Sequence, residues 1–145
     1  MYITCYNNKV IGDKMNIKCI KVGYLEANCY IIEKNNNVLI VDPGDEENKI
    51  IDSIGNLNVS AILITHYHFD HIGCLQALKD KYNTKVIDYN NTDEDINIDG
   101  FNFKVIATKG HTSDSVSFYF KNEKIIFTGD FLFKEGIGRT DFENS

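Results

Sequence analysis

Three of the chain's four histidines and one aspartate fall within six positions: His66, His68, Asp70 and His71, in the stretch THYHFDHIG (65–73). Imidazole nitrogens and a carboxylate crowded in this way suit zinc, and iron or manganese as well. The apolar run VSAILIT just before them reads as a central strand buried on both faces. Past its end, alternate residues of an extended segment face one side, so His66 and His68 point together. Asp70 and His71 follow where the chain turns into a helix, which redirects them to a second nearby point. Ligands of open α/β sheets collect at that end of the strands. Solvated histidines, or an Asp70 that only caps a helix, would be the plainer account. The pattern H-x-H-x-D-H is far more specific than an H-x-H alone, and it favours a metal.

The elements that must position this cluster are legible on either side. NIKCIKV, NCYIIE and NVLIVD read as strands, with Asn35, Asn36 and Asn37 turning the chain between the last two. Asp42-Pro43-Gly44 ends the third strand, and DEENKIIDSIG after it suits a short helix. IGCLQALKDKYN puts Ile72, Leu75, Leu78 and Tyr82 on one helical face. TKVID, INIDGFNFKVIAT with a hairpin at Asp99-Gly100, SVSFYF and KIIFTGD then read as strands. Strands and helices alternate early and strands predominate late, as in a layered α/β protein with mixed sheets.

Composition narrows the partners. With 145 residues, 43% of them hydrophobic, the chain is one domain with a real core. A net charge of −6 argues against nucleic acid and anionic membrane surfaces. No run approaches the ~20 apolar residues of a membrane span, and the N-terminus lacks a secretion signal. The expected location is cytoplasmic. Cys5, Cys19, Cys29 and Cys74 form no C-x-x-C pair and are expected to be reduced. Residues 1–14 read as an extension, and 15–145 as the domain.

The run His66-Tyr67-His68-Phe69-Asp70-His71 resembles the signature of the metallo-β-lactamase superfamily. VLIVDPG (38–44), KGHTSDSVSF (109–118) and IIFTGDFLFKEGIGRTDF (126–142) resemble its other motifs. With VGYLEANCYII (22–32), the chain is most similar to the glyoxalase II-like thioester hydrolases. The resemblance implies a four-layer αββα sandwich, here without its C-terminal elements. It implies that His66, His68 and His111 hold a first metal, that Asp70 and His71 belong to a second, and that Asp130 bridges both. A water shared by two cations about 3.5–4 Å apart ionises near neutral pH and attacks a carbonyl. Asp70 would then be catalytic, orienting that hydroxide. Asp42 would lie beneath the ligands and support their loops. Arg139 and Asp141 would brace the loop after Asp130, which Gly136 and Gly138 let fold tightly.

Glyoxalase II-like relatives supply one more histidine late in the chain, and all four histidines here are already assigned. The expectation is therefore a tight first zinc and a weaker second one. Three departures touch loops and remove no ligand. Cys74 replaces a second glycine, Phe131 a small hydroxyl residue, and Ser113-Asp114 a Pro-Gly. Tyr67, Phe131 and Phe133 flank ligands, and core packing is their commoner use.

The leading expectation is a metal-dependent hydrolase of a small-molecule thioester such as an acylglutathione. The related persulfide dioxygenases, with one iron on His66, His111 and Asp130, are the alternative. A truncated remnant that binds metal without turnover is the third reading. It would expose a sheet edge open to self-association.

Overall fold

The computed structural model describes residues 15–133 and 136–137. The N-terminal extension, Cys5, Gly138, Arg139, Asp141 and the Phe133 side chain lie outside what it describes. Strands β1 (Asn16–Val22), β2 (Ala27–Lys34), β3 (Asn37–Val41), β4 (Asn58–Leu63) and β5 (Lys85–Ile87) form one sheet in that spatial order. β1, β2 and β3 pair antiparallel, whereas β3, β4 and β5 pair parallel. A parallel pair needs a crossover, and helices α1 (Glu47–Ile54) and α3 (Leu75–Tyr82) supply the two here. The second sheet is an antiparallel meander of β6 (Asp95–Ile98), β7 (Phe101–Ala107), β8 (Val116–Phe120) and β9 (Ile125–Phe127). A short pair, β10 (Leu132–Phe133) and β11 (Gly136–Ile137), follows.

Two cores divide the apolar side chains. Leu39, Val41, Leu63, Phe103, Phe118 and Phe127 belong to the core between the sheets. Ile40, Ile62, Ile50, Ile54 and Leu78 fill the space between the first sheet and its helices. Alternate residues of β3 and β4 thus feed opposite layers, which is why these two strands are apolar throughout. The result is the layered α/β sandwich that the strand and helix pattern predicts. Among the described residues no helix is long and apolar enough to cross a membrane.

The expected elements recur with two differences. The helical pattern over 72–83 is split into a short α2 (Phe69–Ile72) and α3, because Cys74 N–H donates to Pro43 O at 2.9 Å. That bond ties the turn between the helices to the Asp-Pro-Gly loop. The second difference concerns sulfur. Cys29 and Cys74 are free and buried as expected, but Cys19 is disulfide-bonded, which corrects the expectation of reduced thiols throughout. Cys19 sits half-buried on the edge strand β1, packed against the core between the sheets.

Candidate metal centre

The site lies at the C-terminal ends of β3 and β4, where both strands give way to loops. Asp42, the first residue past β3, is buried and has φ +51°. A non-glycine residue there is uncommon and must be held by its contacts. Its N–H donates to Leu63 O at 3.0 Å. Its carboxylate accepts from Thr65 N–H at 2.8 Å, from Thr65 Oγ1 at 2.5 Å and from His71 Nδ1 at 2.9 Å. Thr65 O in turn accepts from Val116 N–H at 2.8 Å, which joins the site to β8 of the second sheet.

Two glycines allow loops to meet closely enough. A Cβ on Gly44 would fall 1.7 Å from the carbonyl oxygen of Asp70, so only glycine lets the Asp-Pro-Gly loop reach the turn carrying Asp70 and His71. A Cβ on Gly129, at φ +54°, would fall 2.2 Å from Thr65 Oγ1. Asp130 therefore enters the site directly beside the threonine that precedes His66.

All six expected residues converge. His66 Nε2, His68 Nδ1 and His111 Nε2 form one group, and Asp70, His71 and Asp130 form another, each able to hold a metal ion. His68 Nδ1 and His111 Nε2 face each other at 3.0 Å. Asp130 Oδ2 lies 3.3 Å from His71 Nε2, 3.5 Å from His111 Nε2 and 3.7 Å from His66 Nε2. One carboxylate oxygen thus stands beside the ring nitrogens of both groups. Asp70 Oδ2 lies 3.6 Å from His71 Nε2. Asp42, His66 and His71 also lie close enough to hold an ion. Both Asp42 oxygens already accept hydrogen bonds from Thr65 and His71.

The tautomers follow from these contacts. The Thr65 hydroxyl spends its proton on Asp42, so at 3.1 Å it accepts from His66 Nδ1. The lone pair of His66 then sits on Nε2, a buried atom with no hydrogen-bond partner in the protein. A buried acceptor left unpaired is costly, and a cation among these nitrogens and the Asp130 carboxylate would satisfy it. The donor set fits a transition metal. In the metal-free protein, burial and then the neighbouring His71 push the His66 imidazole down to about 3. Burial and then His111 lower His68. For His71 burial opposes charge, but Asp42 and Asp130 prevail and push it up to about 10. Partial burial raises Asp130, yet its hydrogen bond with His71 and that residue's charge hold its carboxyl low.

Two supports escape sequence reasoning. Thr65 is chemically ordinary, and only its place between Asp42 and His66 gives it a role. Tyr67, between His66 and His68, donates its hydroxyl to Asp88 at the end of β5 and packs edge-on against Tyr89. No local sequence signal marks Asp88. The loop bearing His111 is closed by Thr112, whose hydroxyl contacts Asp114 and Ser115 at 2.5 Å each. Asp114 therefore braces the loop in place of the usual Pro-Gly. Cys74 is accommodated among the buried residues beneath α3.

Comparison with known proteins agrees with this geometry. The sequence pattern of the metallo-beta-lactamase superfamily matches residues 22–94 and 86–144. The hydroxyacylglutathione hydrolase GloC of Haemophilus influenzae is 33% identical, over 88% of this chain and 77% of its own length. That alignment runs over 163 positions, so the relative carries internal segments without counterpart here. The crystal structure of the BLEG-1 B3 metallo-β-lactamase superposes with a TM-score of 0.80 at 30% identity, covering 87% of this chain and 77% of that one. ETHE1 from Myxococcus xanthus gives 0.78 at 26%, covering 87% and 62%. With its motifs, sheets and clustered histidines all in agreement, the chain belongs to the metallo-β-lactamase superfamily.

Proposed function

We propose that the chain is a metal-dependent hydrolase that cleaves a thioester such as an acylglutathione. The observation that carries the reading is the convergence of Asp130 Oδ2 on the ring nitrogens of His66, His71 and His111, with His66 Nε2 buried and unpartnered. The similarity to a hydroxyacylglutathione hydrolase supports the thioester. His66, His68 and His111 would hold the first ion, Asp70 and His71 a second, with Asp130 serving both. When bound, zinc there supplies Lewis acidity at the carbonyl and acidifies a water.

The chain's own groups arrange the rest. Asp42 keeps the proton of His71 on Nδ1 and so directs its Nε2 lone pair into the site. Thr65 does the same for His66. Asp70, half-buried at the rim, orients the attacking water and the acyl carbon's approach. Among the described residues the second set offers three groups where four complete a zinc site, so its ion would be held more weakly.

The test is hydrolysis of S-lactoylglutathione by the zinc-loaded chain, beside the His66→Ala variant. A rate that disappears in the variant supports the reading. A wild-type rate equal to that of free zinc sinks it and leaves the inactive remnant. The similarity to ETHE1 favours a second reading, a persulfide dioxygenase with one iron on His66, His111 and Asp130. Iron in the purified protein, with oxygen uptake on glutathione persulfide, would establish that alternative.

A further inference from the structure

Four large apolar side chains are exposed among the described residues: Tyr24 at 98%, Phe69 at 75%, Leu25 at 55% and Tyr89 at 45%. Exposed apolar residues scattered singly need no explanation. These are not scattered. Phe69 stands between His68 and Asp70 in the chain. Tyr24 and Leu25, from the turn between β1 and β2, line a single cavity of about 190 Å³ together with Phe69 and Asp70. Tyr89 packs against Tyr67, the residue between His66 and His68. Tyr24, Leu25 and Phe69 thus stand together beside Asp70, and Tyr89 lies beside the segment that joins His66 to His68.

The turn that carries Tyr24 and Leu25 is fixed at its base. Glu26 N–H donates to Gly23 O at 3.1 Å, and Gly23 N–H donates to Glu46 Oε2 at 2.9 Å. A Cβ on Gly23 would already press Asp45 at 3.0 Å, so turn and loop are in close register. The backbone that carries Tyr24 and Leu25 is therefore held beside Asp70. The cavity is smaller than the ~300–1,000 Å³ of whole-ligand pockets and suits one arm of a substrate. Its charged lining groups are Asp45 and Asp70, both acidic. Asp45 keeps its negative charge there when Asp70 holds a metal ion, so the cavity disfavours an anionic arm, while Tyr24, Leu25 and Phe69 favour an uncharged hydrocarbon.

We infer that this cavity receives the acyl arm of the substrate, and that the acyl group is apolar, a medium-length alkyl or an aromatic ring, in place of a small hydroxyacyl. The inference rests on the thioester-hydrolase reading, which names the arm.

Binding of thioethers separates the two, because a thioether cannot be hydrolysed. Calorimetry on the zinc-loaded chain would compare S-hexylglutathione with S-methylglutathione. The expected result is binding at least about tenfold tighter for the hexyl compound, from burial of its added methylenes. In Phe69→Ser, and in a Tyr24→Ser/Leu25→Ser double variant, the ratio should fall below about threefold. These side chains face solvent, so the variants fold. Equal affinities in the wild type, a ratio unchanged in both variants, or no binding of S-hexylglutathione up to its solubility limit would each overturn the inference. A chain that hydrolyses no thioester yet keeps the hexyl preference sinks the hydrolase reading and upholds the apolar cavity.

Discussion

Asp42 accepts the Nδ1 proton of His71 at 2.9 Å, and the two residues are buried together beneath the ligand cluster. The pair fixes which nitrogen of His71 faces Asp70 and Asp130. Supports of this kind typically contribute about 10–100-fold to metal affinity. Asp42→Asn keeps the size but replaces one acceptor oxygen with an amide donor, which cannot accept from both Thr65 and His71. The variant should lose roughly 10–100-fold in affinity for the ion that His71 would hold, read by competition with a chelator. It should also lose about 1–3 kcal/mol of stability, read by urea unfolding, since buried donors are left unpaired. Unchanged affinity for both ions would show that His71 needs no orientation.

Gly44 and Gly55 make a matched pair for testing how tightly the loops close. Both precede or follow α1, but a Cβ on Gly44 meets the Asp70 carbonyl at 1.7 Å, while one on Gly55 meets nothing within 4 Å. Gly44→Ala must push the Asp70 turn aside and should cost about 1–3 kcal/mol or more, with loss of metal. Gly55→Ala meets no neighbour and carries only the strain of φ +59° and ψ −128°, roughly 1–3 kcal/mol, with metal binding intact. Thermal unfolding and metal analysis of the two variants check this contrast. Equal effects would contradict the close approach of the two loops.

How far the site could be read in advance depends on how far each residue's role is local. His66 and His68 converge because they are two apart past a strand, and that is visible in six letters. His111 and Asp130 lie 43 and 62 positions beyond His68, and their return to the same point depends on the pairing of β7, β8 and β9, which no local pattern states. They were legible only through the resemblance of their motifs. Thr65 and Asp88 were not legible, because threonine and aspartate at strand ends have many uses. The break between α2 and α3 was hidden for a similar reason: the helical spacing of Ile72, Leu75 and Leu78 runs on, while the bond from Cys74 to Pro43 that interrupts it is long-range. The disulfide at Cys19 likewise depends on what its sulfur meets in space.

The metal-free protein should be most stable near the ordinary histidine pKa, with losses on both sides. His71 is raised to about 10 in the folded protein, so its contribution is complete below about 6.5 and disappears as pH climbs towards 10. His66 is lowered to about 3, so its contribution is complete above about 6.5 and disappears as pH falls towards 3. Each slope is at most ~1.4 kcal/mol per pH unit, the value for one proton. Urea unfolding in a chelator at a series of pH values measures it. The alkaline arm is the discriminating one, because acid alone destabilises most proteins. Stability that keeps rising from pH 7 to 9 would contradict the buried His71–Asp42 pair. His71→Asn should flatten that arm.

Removing one histidine from each group should have unequal consequences for metal content. His111 belongs to the group completed by His66, His68 and the nearby Asp130, whereas His71 belongs to one that, among the described residues, has Asp70 and Asp130 besides. If the first group holds the tight ion, His111→Ala should empty it and leave at most a loosely held metal that dialysis removes. His71→Ala should retain one ion through the same dialysis, because the first group is untouched. Its Nδ1 bond to Asp42 is also lost, so the variant will be less stable, and stoichiometry must be measured on folded protein at low temperature. Plasma emission analysis of both variants reads the result directly. Retention of one tight ion in His111→Ala and none in His71→Ala would reverse the order of the two sites, and would place the stronger ion between Asp70, His71 and Asp130.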